Sequence, residues 1–132
     1  MRFRKGVVAE IVARANASPA EVCGLLLGGL DRVAGVVHCI NIASDPARAF
    51  EIDPRQLIAA HKAARQGGVP IIGCYHSHPG GVTVPSARDA SEAVPNGWLW
   101  LIATGRGVGL YRAVERGRWH GRFDAVPLKG ED

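Results

Sequence analysis

The stretch Pro70-Ile71-Ile72-Gly73-Cys74-Tyr75-His76-Ser77-His78-Pro79-Gly80-Gly81-Val82-Thr83-Val84-Pro85-Ser86-Ala87-Arg88-Asp89 holds a strand, a loop and a helix start in succession. Pro70 to His76 is a short run of apolar, β-branched and aromatic residues, which predicts a strand. Pro79-Gly80-Gly81 and Pro85 punctuate a loop. Ser86 then predicts the N-cap of a short helix reaching Val94. A strand that passes through a loop into a helix is the building unit of an α/β domain.

The flanks agree with that unit. Upstream, Val7, Val8, Ile11, Val12 and Ala15 recur at helical spacing within Lys5–Asn16, and Ser18-Pro19 breaks the pattern. Val22 to Gly29 is an apolar run closed by glycines, read as a buried strand, and Val33 to Ala43 predicts a second strand ended by Asp45-Pro46. Asp53-Pro54 supplies an N-cap with proline at the first helical position; Leu57, Ile58, His61 and Ala64 mark one face before Gly67-Gly68 stops the helix. Downstream, Trp98–Ala103 and Val108–Val114 predict strands joined by the glycine-rich turn Thr104–Gly107, with a last strand at Trp119–Val126. Helices interspersed with strands, and hairpins at the C-terminal end, predict one α/β domain over residues 1–132 with a mixed sheet.

Composition narrows the class. Apolar residues make up 47% and charged residues 21%, a globular balance that excludes disorder as the main state. The three cysteines, Cys23, Cys39 and Cys74, are an odd number at wide spacings with no C-x-x-C, which argues against a disulfide framework or a cysteine zinc knuckle. The longest apolar stretches, such as Leu25–Leu27 and Trp98–Ala103, fall far short of the ~20 residues that span a bilayer. The charged start Met1-Arg2-Phe3-Arg4-Lys5 is followed by no apolar core or cleavage site, so a soluble, cytoplasmic protein without a membrane partner is expected. The net charge of +4 comes from scattered arginines. The locally basic segment Arg112–Arg122 alternates as a solvated strand face does, so nucleic acid is not the expected partner.

Chemistry concentrates in the opening stretch. His76 and His78, at i and i+2 on a strand, point to one face about 6–7 Å apart along the backbone and can converge on one ion. Zinc accepts histidine nitrogen and carboxylate oxygen, and a catalytic site uses three protein ligands plus a water. Asp89 completes such a trio, because Gly80-Gly81 and Pro85 let the chain turn back toward the strand end. Two simpler accounts stand beside this one. Ser86-x-x-Asp89 is also a capping box, and so is Ser18-Pro19-Ala20-Glu21, although Gly24, Gly28 and Gly29 suit a helix there poorly.

The pattern H-x-H, seven residues, S, two residues, D resembles the signature of the JAMM or MPN-plus zinc metalloproteases, with every motif position filled. Glu21-Val22-Cys23-Gly24-Leu25-Leu26-Leu27-Gly28 resembles the family's glutamate followed by a C-G-L-L-L-G strand. Phe50-Glu51-Ile52-Asp53-Pro54 is similar to its strand-to-helix segment. The resemblance runs from the first helix to Trp98. It implies a three-layer α-β-α architecture around a mixed sheet, akin to that of cytidine deaminases. It also implies one zinc ion on His76, His78 and Asp89 with water as fourth ligand, Glu21 as general base, and Ser86 as hydrogen-bond donor to the oxyanion. Cys74 departs from the bulkier residue often found there; it is a support for the ligands, a redox-sensitive thiol or a small packing residue. His38, His61 and His120 lie outside the motif and are read as surface or satisfied side chains.

Only Ala90 to Gly97 separate Asp89 from Trp98, which leaves no room for the insertions of relatives that act on ubiquitin chains. The chain looks like the small stand-alone prokaryotic type. That resemblance implies cleavage of a peptide or isopeptide bond after the C-terminal Gly-Gly of a ubiquitin-like or sulfur carrier protein. Glycines at the scissile bond suit a narrow slot, because they carry no Cβ. The alternative is a non-catalytic MPN scaffold that binds partner proteins, against which the complete residue set argues. A DNA-repair-associated branch with an extra helical domain fits less well. Cytidine-deaminase-like chemistry fits poorly, because H-x-E and P-C-x-x-C are both missing.

Overall fold

The computed structural model describes residues 1–131. In chain order they form β1 (Arg2–Phe3), α1 (Val7–Asn16), β2 (Cys23–Gly28), β3 (Arg32–Cys39), α2 (Pro54–Arg65), β4 (Ile71–Ser77), α3 (Ala87–Glu92), β5 (Leu99–Thr104), β6 (Gly107–Gly117), β7 (Gly121–Ala125) and β8 (Lys129–Gly130). The strands make one sheet in the order β7-β6-β5-β4-β2-β3-β1-β8. It is mixed, as expected: β4 runs parallel to β5, and β1 parallel to β3 and β8, while the other neighbours are antiparallel. A parallel pair needs a crossover connection, and the β4–β5 crossover carries α3.

Alternation along the strands divides the molecule into layers. On one side, α1 brings Val7, Ile11 and Ala15 onto Phe3, Leu26, Tyr75 and Leu101. On the other, Cys74, Trp100, Ile102 and Phe123 form a second core, and Cys23, Leu25 and Cys39 a third, with Leu57 of α2 packed against the latter. Helices on both faces produce the α-β-α arrangement. Among the described residues no helix is long and apolar enough to cross a membrane.

Arg14 ties the α1 layer to the sheet. Its guanidinium donates to the carbonyls of Cys23 and Cys39 at 2.7 and 3.0 Å and to the Tyr75 hydroxyl. The Tyr75 ring lies over Gly24, where a Cβ would collide with that ring and with the Val37 carbonyl. Only glycine lets β2 and Tyr75 approach so closely.

Several boundaries differ from the sequence expectations. Helix α1 begins at Val7 rather than Lys5, because Gly6 adopts a left-handed φ of 89° immediately before it. Strand β3 stops at Cys39 rather than Ala43. Beyond it the Ile40 amide donates to the Gln56 side chain at 2.6 Å, and the Asn41 side chain bonds the carbonyls of Glu21 and Ala49. Strand β7 begins at Gly121 rather than Trp119, since His120 has a φ of 52°. The two-residue strands β1 and β8 are too short to leave a periodicity in the sequence.

Candidate metal centre

The centre lies at the carboxyl end of β4. Antiparallel β2–β4 register pairs Cys23 with His76, and the Ser77 amide continues it by donating to the Val22 carbonyl at 3.0 Å. One step further the same register brings Glu21, just before β2, alongside His78, just past β4. The His78 amide donates to the Ala103 carbonyl at 2.9 Å, which holds the chain end in line with β5. A turn then closes from the Gly81 amide to the His78 carbonyl, and Ser86 starts α3 so that its first turn carries Asp89 over the strand end.

Three side chains converge here. His76 Nε2 lies 3.0 Å from Asp89 Oδ1, His78 Nε2 lies 3.1 Å from Asp89 Oδ2, and the two Nε2 atoms are 3.0 Å apart. His78 Nδ1 donates to the Val82 carbonyl at 2.9 Å, leaving the Nε2 lone pair free for a ligand bond. The His76 ring is wholly buried, stacked on Phe50 with centroids 4.3 Å apart and met edge-on by Trp100. Its Nδ1 is buried without a partner. Facing imidazole nitrogens beside a buried carboxylate form an electron-rich set suited to a cation. Two neutral imidazoles and one carboxylate match the donor types that zinc accepts.

The electrostatics follow from burial and these contacts. Burial pushes His76 toward its neutral form. For Asp89, burial opposes ionisation, yet hydrogen bonds from His76, His78 and the Ser86 amide hold the carboxyl far below its usual range. Burial works against the charged form of His78 as well, but Asp89 and the Val82 carbonyl outweigh it and raise the group. Glu21 is 8% exposed, and burial lifts its carboxyl from 4.5 to about 7, with His78 opposing and Asp89 adding to the rise. A carboxylate poised near neutral pH beside a cation site is suited to take up and release a proton.

Glu21 caps no helix. Residues 18–21 form an irregular turn in which Ser18 Oγ accepts from the Ala20 amide at 3.2 Å. The Glu21 backbone is pinned by Pro46 and Asn41, its amide donating at 2.7 Å and its carbonyl accepting at 2.9 Å. Ser86, by contrast, does cap α3. Its Oγ accepts from the Asp89 amide at 3.0 Å while its own amide donates to Asp89 Oδ2 at 2.9 Å. That capping box uses a lone pair of the exposed hydroxyl and leaves its hydrogen free to donate, so the two roles considered for Ser86 are compatible.

Cys74 is buried against Trp100, Ala93 and Ile102, and burial pushes its thiol well up, away from the reactive thiolate. His38 is satisfied by the Tyr75 hydroxyl at 2.6 Å and Glu10 at 2.8 Å, His120 meets the Pro85 carbonyl at 3.1 Å, and His61 is exposed. Phe50, Trp100 and Asn41 shape the centre, and Arg14 braces the sheet behind it, although spacing gave no signal for them. Of these, only Phe50 lies in a stretch that resembles a family motif.

The prokaryotic homologs of the JAB domain, as a family, match residues 4–119. The chain is 40% identical over 88 residues to a desampylase of Haloferax volcanii, covering 65% of this chain and 63% of that relative. It is 38% identical over 76 residues to a probable TtuB-protein conjugate cleaving protease of Thermus thermophilus, covering 58% of this chain and 51% of the relative. The matched parts are thus less than two thirds of either relative's length. In fold it is similar to the crystal structure of a JAB1/MPN domain protein from Archaeoglobus fulgidus, with a TM-score of 0.62 at 19% identity over the whole of both chains.

Proposed function

The chain belongs to the prokaryotic homologs of the JAB domain, the small prokaryotic type of JAMM/MPN protein, and from that premise we propose that it is a zinc-dependent hydrolase. Its substrate is the peptide or isopeptide bond that follows the C-terminal Gly-Gly of a ubiquitin-like or sulfur carrier protein. The observation that carries this is the convergence of His76 Nε2, His78 Nε2 and Asp89 beside the buried carboxyl of Glu21. The relative named for cleaving protein conjugates supports the substrate class.

His76, His78 and Asp89 would hold the zinc, which supplies Lewis acidity toward a water and the scissile carbonyl when bound. Glu21 accepts a proton from the attacking water as its oxygen bonds to the carbonyl carbon, then delivers that proton to the leaving amine as the C–N bond breaks. The Ser86 hydroxyl donates to the carbonyl oxygen as it gains negative charge, a contact strongest in the transition state. Phe50 and Trp100 hold the His76 ring in place and exclude water from its buried side.

Intact-mass analysis tests the proposal with a carrier protein extended beyond Gly-Gly. Loss of the extension in zinc-loaded wild type, but not in Glu21→Gln or after chelation, is the expected result. An intact extension despite bound zinc would remove this substrate class. Nothing in the geometry favours a non-catalytic scaffold, because the trio His76, His78 and Asp89 is complete and its ligand atoms lie together.

A further inference from the structure

The end of the sheet away from the metal centre carries a cavity of about 410 Å³. Pro70, Ile72, Trp98 and Leu99 line it where β4 and β5 begin, with Arg112 of β6 beside them. The metal centre lies at the other end of β4, about 20 Å along the strand.

Leu30 stands at the mouth of this cavity and is 99% exposed; the next most exposed large apolar side chain among the described residues, Ile58, is at 67%. A lone exposed leucine means little, but this one is fixed in a tight turn. Strands β2 and β3 are joined there by Leu30 and Asp31 alone, and the Gly29 amide donates to the Arg32 carbonyl at 3.0 Å. The turn thus presents an aliphatic side chain to solvent and holds it out of the apolar space next to it.

Charge is arranged in the same way. Asp31, the next residue of the turn, has a carboxylate that is 79% exposed and lies 3.2 Å from Arg2. Arg112, on the cavity wall, donates from Nη1 to the Gly97 carbonyl at 2.9 Å. A guanidinium has five N–H groups and a carboxylate about four acceptor sites, so each can take a further partner.

We propose that this face is a homodimer interface. Leu30 of each copy fills the cavity of the other, and Asp31 of each copy meets Arg112 of the other. Knob, socket, carboxylate and guanidinium share one face, so a single two-fold axis satisfies each of them twice. An unrelated partner would have to supply both an apolar knob and a cavity, which a second copy of this chain already does. The two metal centres lie at the far ends of such a dimer and stay open. Dimer formation is independent of the function proposed above.

Sedimentation velocity of the intact protein, over a concentration series from micromolar to near-millimolar, tests the interface. A monomer–dimer equilibrium is expected. Leu30→Asp should raise the dimer's Kd by at least about tenfold, as removal of a buried anchor does. Its melting temperature should match that of the wild-type monomer, because Leu30 packs against nothing in its own chain. Asp31→Arg should also weaken the dimer, and adding Arg112→Glu should restore it, a rescue that a purely structural role for either residue would not give. A wild type that is monomeric throughout, one that forms larger assemblies instead of a dimer, or a dimer as tight in Leu30→Asp as in wild type would overturn the interface. The comparison of wild type with Leu30→Asp decides the matter even if Arg112→Glu fails to fold.

Discussion

His76 Nε2 and His78 Nε2 face each other at 3.0 Å, with one carboxylate, Asp89, bridging both rings. Two imidazole nitrogens so placed can share one proton or both bind one cation. The Val82 carbonyl fixes the His78 tautomer in favour of the cation. Added zinc should therefore raise the melting temperature of chelated protein by several degrees, since ligand at about 100 times its Kd contributes about 2.7 kcal/mol. His76→Ala should abolish the rise in differential scanning fluorimetry, and metal analysis should find one zinc per wild-type chain. An unchanged melting temperature with zinc would mean that the trio binds no ion.

Glu21→Gln separates metal binding from proton transfer. Zinc content should be kept and hydrolysis should fall by at least 10²-fold, the lower end for loss of a general base. Retained turnover would take Glu21 out of the mechanism.

The same residue makes stability depend on pH. The folded protein raises the Glu21 carboxyl from 4.5 to about 7, so the fold favours the protonated form. That contribution is present below pH 4.5 and is lost as pH climbs through 7. In chelated protein Glu21→Gln should consequently gain roughly 1–3 kcal/mol over wild type at pH 8 and little at pH 4.5, as read from urea unfolding. Bound zinc, being positive, would draw the carboxyl down again and shrink the difference.

Ser86 caps α3 and is proposed to donate to the oxyanion, two roles that substitutions can divide. Ser86→Ala should lose about 1 kcal/mol of stability with the cap, whereas Ser86→Gly should lose only a few tenths. Both remove the hydroxyl donor, so both should lower kcat by about 10²-fold or more. Ser86→Thr keeps both roles and serves as the control. Wild-type turnover in Ser86→Gly would reduce the residue to a helix cap.

Arg14 holds two strand carbonyls and the Tyr75 hydroxyl from the layer opposite the metal centre. Arg14→Met should destabilise the protein by roughly 2–4 kcal/mol in urea unfolding, because it strands polar groups that the native fold has desolvated. A loss under about 0.5 kcal/mol, typical of a surface substitution, would show that water replaces the guanidinium without penalty.

Local patterning by itself determined the sheet-forming runs, the α1 and α2 stretches, and the H-x-H…S-x-x-D set, since period, caps and glycine punctuation act over a few residues. It placed the helix stop at Gly67-Gly68 and the cap at Ser86 because those depend on backbone freedom and on one side-chain oxygen. It left Glu21 divided between a helix cap and a base. Tertiary structure ruled out the cap: β2–β4 register sets Glu21 beside His78, and burial lifts its carboxyl toward neutral pH. The end of β3 at Cys39, the Arg14 brace and the Phe50 ring against His76 were settled the same way. Each depends on partners more than ten residues away in the chain, brought together by packing that no local period encodes.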